Sequence, residues 1–378
     1  MASPSLTTPS RRRRADPKTQ QIVATLRGRI VDGCWHPGVR LPTWADLEAE
    51  FGVGRTTLTR AMGTLKQDGF VFADATRGTF VAKRPPHLYR YAIAFRGSPD
   101  EPGWNRFWWS LNNHAVAVGH RGNLELECFY GVHGGDASPS HDRLLDQVDA
   151  DRFAGVIFVG HPPEISKPLL EHRWLAKVAI CSEEKPSALP HVFPDRESFV
   201  RRSLKYLRDH GRRRVAVITD GHRGFAAYDR AVPEMGLDAG PCSRVAAHGQ
   251  DPDSAARIVQ LILNQRGVDR PDALIVTNDA LLESAAAGVV AAGLRVPDDL
   301  LLLTHCNWPD PGRTGSSVVR LGFDARTVMD RALAEAESQR TGRPATPLTA
   351  ISPVFDFELD ADRPHARDVS HVSGGPAS

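Results

Sequence analysis

Three features of the sequence predict an α/β protein built in two unlike parts. Residues 18–82 read as short helices around a tight glycine turn, followed by a hairpin. Lys83-Arg84-Pro85-Pro86-His87 then breaks both helix and sheet. Beyond it, short apolar strands alternate with amphipathic helices as far as residue 360, a pattern that builds parallel sheets covered by helices on both faces. The expected architecture is an N-terminal winged helix-turn-helix joined to a two-lobed, doubly wound α/β body. That span is long for a single doubly wound sheet, so two lobes with a ligand-sized cleft between them fit better.

The elements of the head follow in order. Residues 1–16 are rich in Ser, Thr, Pro and Arg, lack periodicity and read as a disordered basic tail. From Lys18, the apolar positions Ile22, Leu26 and Ile30 recur at helical spacing until Gly33 stops the helix. Trp35-His36-Pro37-Gly38 is a turn. Thr43 is placed as an N-cap with Asp46 three residues on, close to a capping box, and a short helix runs to Phe51-Gly52. A second helix starts near Gly54 and puts Leu58, Ala61, Met62 and Leu65 on its inner face before Gly69 ends it. Residues 70–72 and 79–81 read as two strands around a tip at 74–78. Two short helices on a tight turn, then a hairpin, describe a winged helix-turn-helix.

In the body, strands are expected at 91–95, 124–129, 155–159, 177–180, 191–194, 215–219, 273–276 and 300–304. Helices are expected at 104–119, 196–210, 252–266, 279–292 and 324–340, with residues 220–236 left as a loop. The predicted division is a tail at 1–16, a head at 17–82, a linker at 83–90, a body at 91–360 and a second disordered tail at 361–378.

Composition excludes several classes. Hydrophobic residues are 41% and charged residues 24%, ordinary for a globular protein. No apolar run reaches the roughly 18–20 residues of a membrane span, so no membrane partner is expected. The N-terminus has no apolar stretch behind its charges, unlike a secretory signal. Cys34, Cys128, Cys181, Cys242 and Cys306 are odd in number and far apart, against a disulfide framework or a zinc site. A reduced, cytoplasmic compartment is therefore expected. Nucleotide-binding, metalloprotease and serine-hydrolase motifs are absent, and the few lysines sit in no recognisable cofactor setting, so no catalytic residue, metal or cofactor is expected. Charge is uneven. Residues 1–86 hold 14 basic and 7 acidic side chains, a net of +7, against 33 basic and 38 acidic over the remainder, a net of −5. A basic end on an acidic body suggests a polyanion-binding module. Arg11–Arg14 supply four of those seven charges and could equally be a solvated arm.

The head resembles the DNA-binding domain of the GntR family of bacterial transcription regulators. The resemblance is carried by Pro37-Gly38, Arg40-Leu41-Pro42-Thr43, Gly52-Val53-Gly54-Arg55-Thr56-Thr57-Leu58, Arg60-Ala61, Gly69 and Arg77-Gly78-Thr79-Phe80-Val81. It implies duplex operator DNA as partner, with Thr43, Arg55, Thr56, Thr57, Arg60, Arg77 and Gly78 at the interface. Arg55 could reach guanine O6/N7 or a phosphate. Gly54 stands where the family usually has Ser, and Trp44-Ala45-Asp46 lacks an Arg that commonly touches DNA. The body resembles the effector domain of LacI-type regulators, a periplasmic-binding-protein-like fold. Pro271-Asp272-Ala273, Thr277-Asn278-Asp279-Ala280, Gly293-Leu294-Arg295-Val296-Pro297-Asp298-Asp299 and Asn105-Arg106-Phe107-Trp108 carry that likeness. Together they look like the GntR/LacI hybrid regulators, of which arabinose repressors are an example.

This resemblance implies a homodimeric repressor whose effector, most simply a carbohydrate, binds between the lobes. Candidate ligand contacts are Asn105, Phe107, Trp108, Asp195, Arg223, Asn278, Asp279, Asn307 and Trp308, all placed after strands that line the cleft. Trp108 or Trp109 could be core instead, Asp279 could serve as a helix N-cap, and Arg230 could replace Arg223. Cys306-Asn307 stand where the family often has a sugar-binding Asp. That departure keeps open a second reading, in which the body only dimerises or binds a partner and senses no small molecule.

Overall fold

The computed structural model describes residues 16–101, 104–119, 123–132, 138–160, 166–172, 175–181, 189–220, 225–238, 240, 243–247, 252–265, 270–312 and 317–361. The two predicted tails, apart from Asp16 and Ala361, lie outside these, as do Arg223 and Cys242.

In the head, α1 (Pro17–Val31), α2 (Trp44–Phe51) and α3 (Arg55–Gln67) precede a hairpin of β1 (Val71–Asp74) and β2 (Gly78–Val81). Ile22, Leu26 and Ile30 of α1 meet Leu47 of α2 and Leu58 and Leu65 of α3 in one apolar core. The Thr43–Asp46 capping box is present in full, and Gly52 ends α2 in the left-handed region at φ 59°. Antiparallel pairing of Val71 with Val81 through Asp74 with Gly78 makes the wing.

The body begins with β3 (Arg90–Phe95), α4 (Arg106–Val118), β4 (Glu125–Phe129), α5 (Pro139–Asp149), β5 (Gly155–Val159), α6 (Lys167–Glu171), β6 (Ala176–Ile180) and β7 (His191–Pro194). The chain then crosses to α7 (Arg196–Asp209), β8 (Val215–Asp220), α8 (Phe225–Glu234), β9 (Arg244–Ala247), α9 (Pro252–Leu263), β10 (Ala273–Val276), α10 (Leu282–Ala291), β11 (Leu301–Trp308) and β12 (Val319–Asp324). It recrosses through α11 (Ala325–Arg340) to β13 (Leu348–Ile351). It ends in the second lobe with β14 (Val354–Phe355) and α12 (Asp356–Ala361).

Two six-stranded sheets result, ordered β13-β7-β6-β5-β3-β4 and β14-β12-β11-β10-β8-β9. All pairings are parallel except β12 with β14. Both faces of each sheet are buried, which explains the near-continuous apolar runs. Tyr91, Ile93 and Phe95 pack with Val328, Met329 and Ala332 of α11, whereas the alternate residues Ala92 and Ala94 face Leu144 and Val148 of α5.

Two expectations are corrected here. The strand predicted at 300–304 runs to Trp308, because β12 continues to pair with it: Cys306 lies opposite Gly322, Asn307 opposite Phe323 and Trp308 opposite Asp324. The predicted loop 220–236 contains α8, whose Tyr228, Ala231 and Val232 pack into the second lobe's core.

Close strand packing sets one strict requirement. A Cβ on Gly322 would overlap the Cys306 carbonyl and its sulfur. Gly322→Ala should therefore destabilise the body by about 3 kcal/mol or more, as overpacking does where backbone must move. Urea unfolding of the full chain checks this, and a cost below about 1 kcal/mol would contradict the packing described.

Candidate nucleic-acid interface and interlobe cleft

The head presents the start of α3 to solvent. Gly54 is its N-cap and supplies no side-chain acceptor to the first turn. Arg55, Thr56 and Arg60 are exposed, Thr57 is half-buried, and Leu58 points into the core. Thr56 and Arg60 lie four residues apart, on the same face as the helix entry. The Arg55 guanidinium stacks on Trp44, 4.1 Å from carbon to ring centroid, and its Nη1 lies 3.4 Å from Glu48 Oε1.

Two predicted contacts are engaged within the head itself. Thr43 donates through N (3.0 Å) and Oγ1 (2.6 Å) to Asp46 Oδ2, and those hydrogen bonds hold the Asp46 carboxyl below its usual range. The anion-attracting start of α2 thus already carries a carboxylate. At the wing, Arg77 donates through Nε (2.9 Å) and Nη2 (2.7 Å) to Asp74 Oδ2, which holds Asp74 far below the ordinary carboxylate value. Gly78 sits at φ 106°, and a Cβ there would lie 3.2 Å from Arg40 Nε. Arg40 is exposed beside the wing and pairs by its backbone with Phe80. It was not singled out from sequence as an interface residue, because only the fold brings it to the wing.

The cleft lies where the C-terminal ends of both sheets meet. Asn105 caps α4, its Oδ1 accepting from the Trp108 N–H at 2.9 Å. Arg106, the first residue of α4, reaches across to the other lobe, its Nε 3.9 Å from Asp279 Oδ2. Asp279 is buried at 7% exposure, and Asn307 Nδ2 donates to the same oxygen at 3.2 Å. Burial pushes the Asp279 carboxyl above its ordinary pKa, with Arg106 and Asn307 pulling the other way. Asn278 Oδ1 accepts from Ala280 N and its Nδ2 donates to Asp220 Oδ2, each at 3.0 Å. The capping role open to Asp279 therefore falls to Asn278, at the start of a single 3₁₀ turn that precedes α10. Asn307 Oδ1 is buried with no hydrogen-bond partner among the described residues.

The aromatic residues divide differently from expectation. Trp308 is buried at 6% exposure and donates through Nε1 to Val354 O at 3.2 Å, so it braces the crossing to β14 rather than walling the cleft. Phe107 and Trp108 are half-buried against the first lobe's core, and Trp108 meets Trp104 edge-on at 5.5 Å. Trp109 is 43% exposed. With Arg106, Ser110, Asp310, Pro311 and Gly312 it lines a cleft of about 520 Å³. Gly312, at φ 74°, leaves room for Arg106: a Cβ there would lie 2.7 Å from Nη1.

Asp195 accepts from Ser198 N at 2.9 Å as the cap of α7 at the interlobe crossing. Arg230 pairs with Glu197 Oε2 at 3.0 Å on the exposed α7–α8 surface. Arg223 lies outside the described residues. Arg106 and Asp220 are cleft residues that sequence reasoning missed, whereas Trp109, open there to core or pocket, lines the cleft. The one available signal was the adjacency of Arg106 to Asn105.

Two stretches of the chain match known families. Residues 18–81 match the bacterial regulatory proteins of the gntR family, and residues 204–347 match the periplasmic binding protein-like domain. The chain is 34% identical over 67 residues to the histidine utilization repressor of Klebsiella aerogenes, which covers 18% of this chain and 28% of that protein. The chain spans only 14–28% of the length of the curated relatives it matches. A LacI family transcriptional regulator from Arthrobacter sp. FB24, solved in complex with lactose, superposes with TM-score 0.54 at 14% identity, over 71% of this chain and 97% of that one. A LacI-family protein from Rhizobium etli does so with TM-score 0.55 at 16% identity, over 71% and 98%. At these identities the likeness establishes the fold of the body. No helix among the described residues is long and apolar enough to cross a membrane.

The burial of Asp279 yields a pH prediction. Its native carboxyl holds a proton more tightly than the unfolded chain does, so its contribution to stability falls as pH rises from the ordinary Asp value through the raised native one. Asp279→Asn removes that loss. The variant should melt higher than the parent at pH 7.5, with the gain vanishing below the ordinary Asp pKa. Thermal melts across pH 3–8 measure it, and a variant less stable at pH 7.5 would show that Arg106 outweighs the burial.

Proposed function

We propose that this chain, which joins a gntR-family regulatory domain to a periplasmic-binding-protein-like body, is a ligand-responsive transcription regulator acting as a repressor. Its functional division follows the sequence: head 17–82, linker 83–90, body 91–360. The observation that carries the reading is the presence, in one chain, of an open recognition-helix entry at Gly54-Arg55-Thr56 and a polar cleft spanned by Arg106 and Asp279.

The head binds duplex DNA with the start of α3 in the major groove and the wing at the backbone. Arg55, Thr56, Thr57 and Arg60 contact the operator from α3. Arg77 and Gly78 do so from the wing, joined by Arg40, with Thr43 at the edge of the interface. Arg77 exchanges Asp74 for a phosphate on binding, and the Asp74 carboxylate keeps the hydrogen bonds it accepts from the Thr76 N–H and hydroxyl and from the Arg77 N–H. Two copies of the chain read a pseudo-palindrome.

The body binds a small polar molecule between its lobes. A carbohydrate is the class the lining suits best. Asn105 and Asn278 offer amide groups and Asp279 a carboxyl group to hydroxyls, with Asn307 behind them, and the Trp109 face offers stacking area. Phe107, Trp108 and Trp308 act behind this surface as support, and Asp195 acts at the hinge. The sugar-binding carboxylate expected near Cys306 has a substitute in Asp279, held from behind by Asn307. The lactose complex of the Arthrobacter relative supports the same class. Closure of the lobes alters the placement of the paired heads and so shifts operator affinity, by about 1–3 kcal/mol in a typical coupled system.

A thermal-shift panel of monosaccharides, disaccharides, sugar acids and nucleosides tests the cleft. A ligand present at about 100 times its dissociation constant should stabilise the chain by roughly 2.7 kcal/mol, and Arg106→Ala should abolish the shift. The same ligand should change the affinity for a selected duplex by about 5- to 150-fold. Ligand binding with no change in DNA affinity would sink the regulatory reading. No ligand across the panel would favour a body that serves only dimerisation or partner binding.

A further inference from the structure

The interaction between Trp44 and Arg55 bears on how sequence is read. Arg55 opens α3, and its side chain remains 62% exposed. It is nonetheless fixed on two sides. One face of the guanidinium lies on the Trp44 ring at 4.1 Å, and one edge lies 3.4 Å from Glu48 Oε1. Trp44 and Glu48 stand four residues apart on α2 and so share the helix face that meets α3. Trp44 is itself held by packing against the head's core.

Three physical consequences follow. An arginine stacked on an aromatic ring has already given up rotamer freedom, so less is lost when it engages DNA. The stack orients the guanidinium plane, and the Nε–Nη2 edge, away from the Nη1 that meets Glu48, presents two parallel N–H groups, the arrangement that matches the paired O6/N7 acceptors of guanine. The Glu48 carboxylate beside the fork repels a phosphate, which carries a full negative charge, more than a base edge, which carries none. Arg60, one turn and a half along α3, has no comparable clamp among the described residues.

We propose that Trp44 and Glu48 are positioning residues that commit Arg55 to reading a guanine edge instead of a phosphate. Trp44 thereby sets specificity at one base pair without touching DNA. This inference rests on the DNA-binding function proposed above.

The test uses the full-length chain. Binding selection from a random-sequence duplex library first yields the preferred duplex of the parent protein. A parent that enriches no sequence overturns the DNA-reading function itself, before Trp44 is examined. With a preferred duplex in hand, affinities are measured for it and for every single-base-pair variant, across a salt series. Arg55→Ala identifies the base pair that Arg55 reads. Trp44→Ala should flatten discrimination at that pair by about tenfold or more. It should leave other positions and the salt dependence unchanged. Glu48→Gln should strengthen binding to unrelated duplexes and steepen the logarithmic salt slope by about 1.

Because Trp44 also packs on the core, Trp44→Leu and Trp44→Phe complete the set. Leucine keeps apolar contact without a ring face and should behave like alanine; phenylalanine should retain discrimination. Equal behaviour of the Leu and Phe variants would reduce Trp44 to a packing residue. An Arg55→Ala variant that weakens all duplexes uniformly and lowers the salt slope by about 1 would make Arg55 a phosphate contact and overturn the inference.

Discussion

The main chain passes between the two lobes three times, and the placement of the cleft depends on those passages. Parallel strands cannot be closed by tight hairpins, so each strand needs a crossover. Here β7, β12 and β13 lead from one sheet toward the other at Asp195, at Asp324 and at Ser352-Pro353. Asp195 and Asp324 terminate their strands and cap α7 and α11 with their own carboxylates. Asp195 also ties the first crossing to the third by donating its N–H to Ile351 O at 2.9 Å. The crossings sit beside one another, and the C-terminal edges of both sheets face a common space. Arg106 from one lobe and Asp279 from the other reach each other only because of this arrangement.

The same geometry accounts for the polar groups buried around β11. His305 lies among Phe199 and Phe323, and burial lowers its pKa to about 3, so it stays neutral. Cys306 is fully buried, and desolvation pushes its thiol far above the usual value, which removes the thiolate a redox switch would need. Asn307 is spent on Asp279. A strand that carries His, Cys and Asn in succession looks like a loop when read by hydropathy alone. It holds as a strand because α7 covers His305 while β12 supplies ladder partners as far as Trp308.

This marks the boundary of what the sequence disclosed. The capping box at Thr43–Asp46, the apolar face of α3 and the uncapped Gly54 were legible because each depends on residues three or four apart. The parallel sheets were legible because both-face burial leaves runs such as 155–159 with no polar interruption. Trp44 registered only as the loss of a familiar arginine, since its stacking on Arg55 depends on the angle between two helices. Arg106 was passed over in favour of its neighbours for the same kind of reason: its partner lies in the other lobe. Helix α8 was missed because Gly236 and Pro233 suggest a loop, yet Tyr228 and Ala231 bury enough surface to hold the helix.

One helix of the body runs from the interlobe crossing to the neighbourhood of the linker. Helix α11 starts at the Asp324 crossing and runs beneath the first sheet to Arg340. There Arg340 pairs with Glu337, which accepts from the Tyr91 hydroxyl at 2.8 Å. The charge of Arg340, added to burial, holds the nearby His87 at a pKa of about 4. His87 in turn stacks on Phe70 of the head, with ring centroids 5.7 Å apart and planes within 6°. Beside that stack, Asp68 at the end of α3 pairs with Arg27 at 3.0 Å and lies 3.9 Å from Arg152 of the body. A neutral His87 keeps its stack on Phe70 apolar at physiological pH, while Asp68 and its two arginines carry charge beside it. The head meets the linker through the Phe70–His87 stack and the body through the Asp68 ion-pair cluster, as well as through the chain itself. Packed contacts of this kind are one route by which two distant sites can couple.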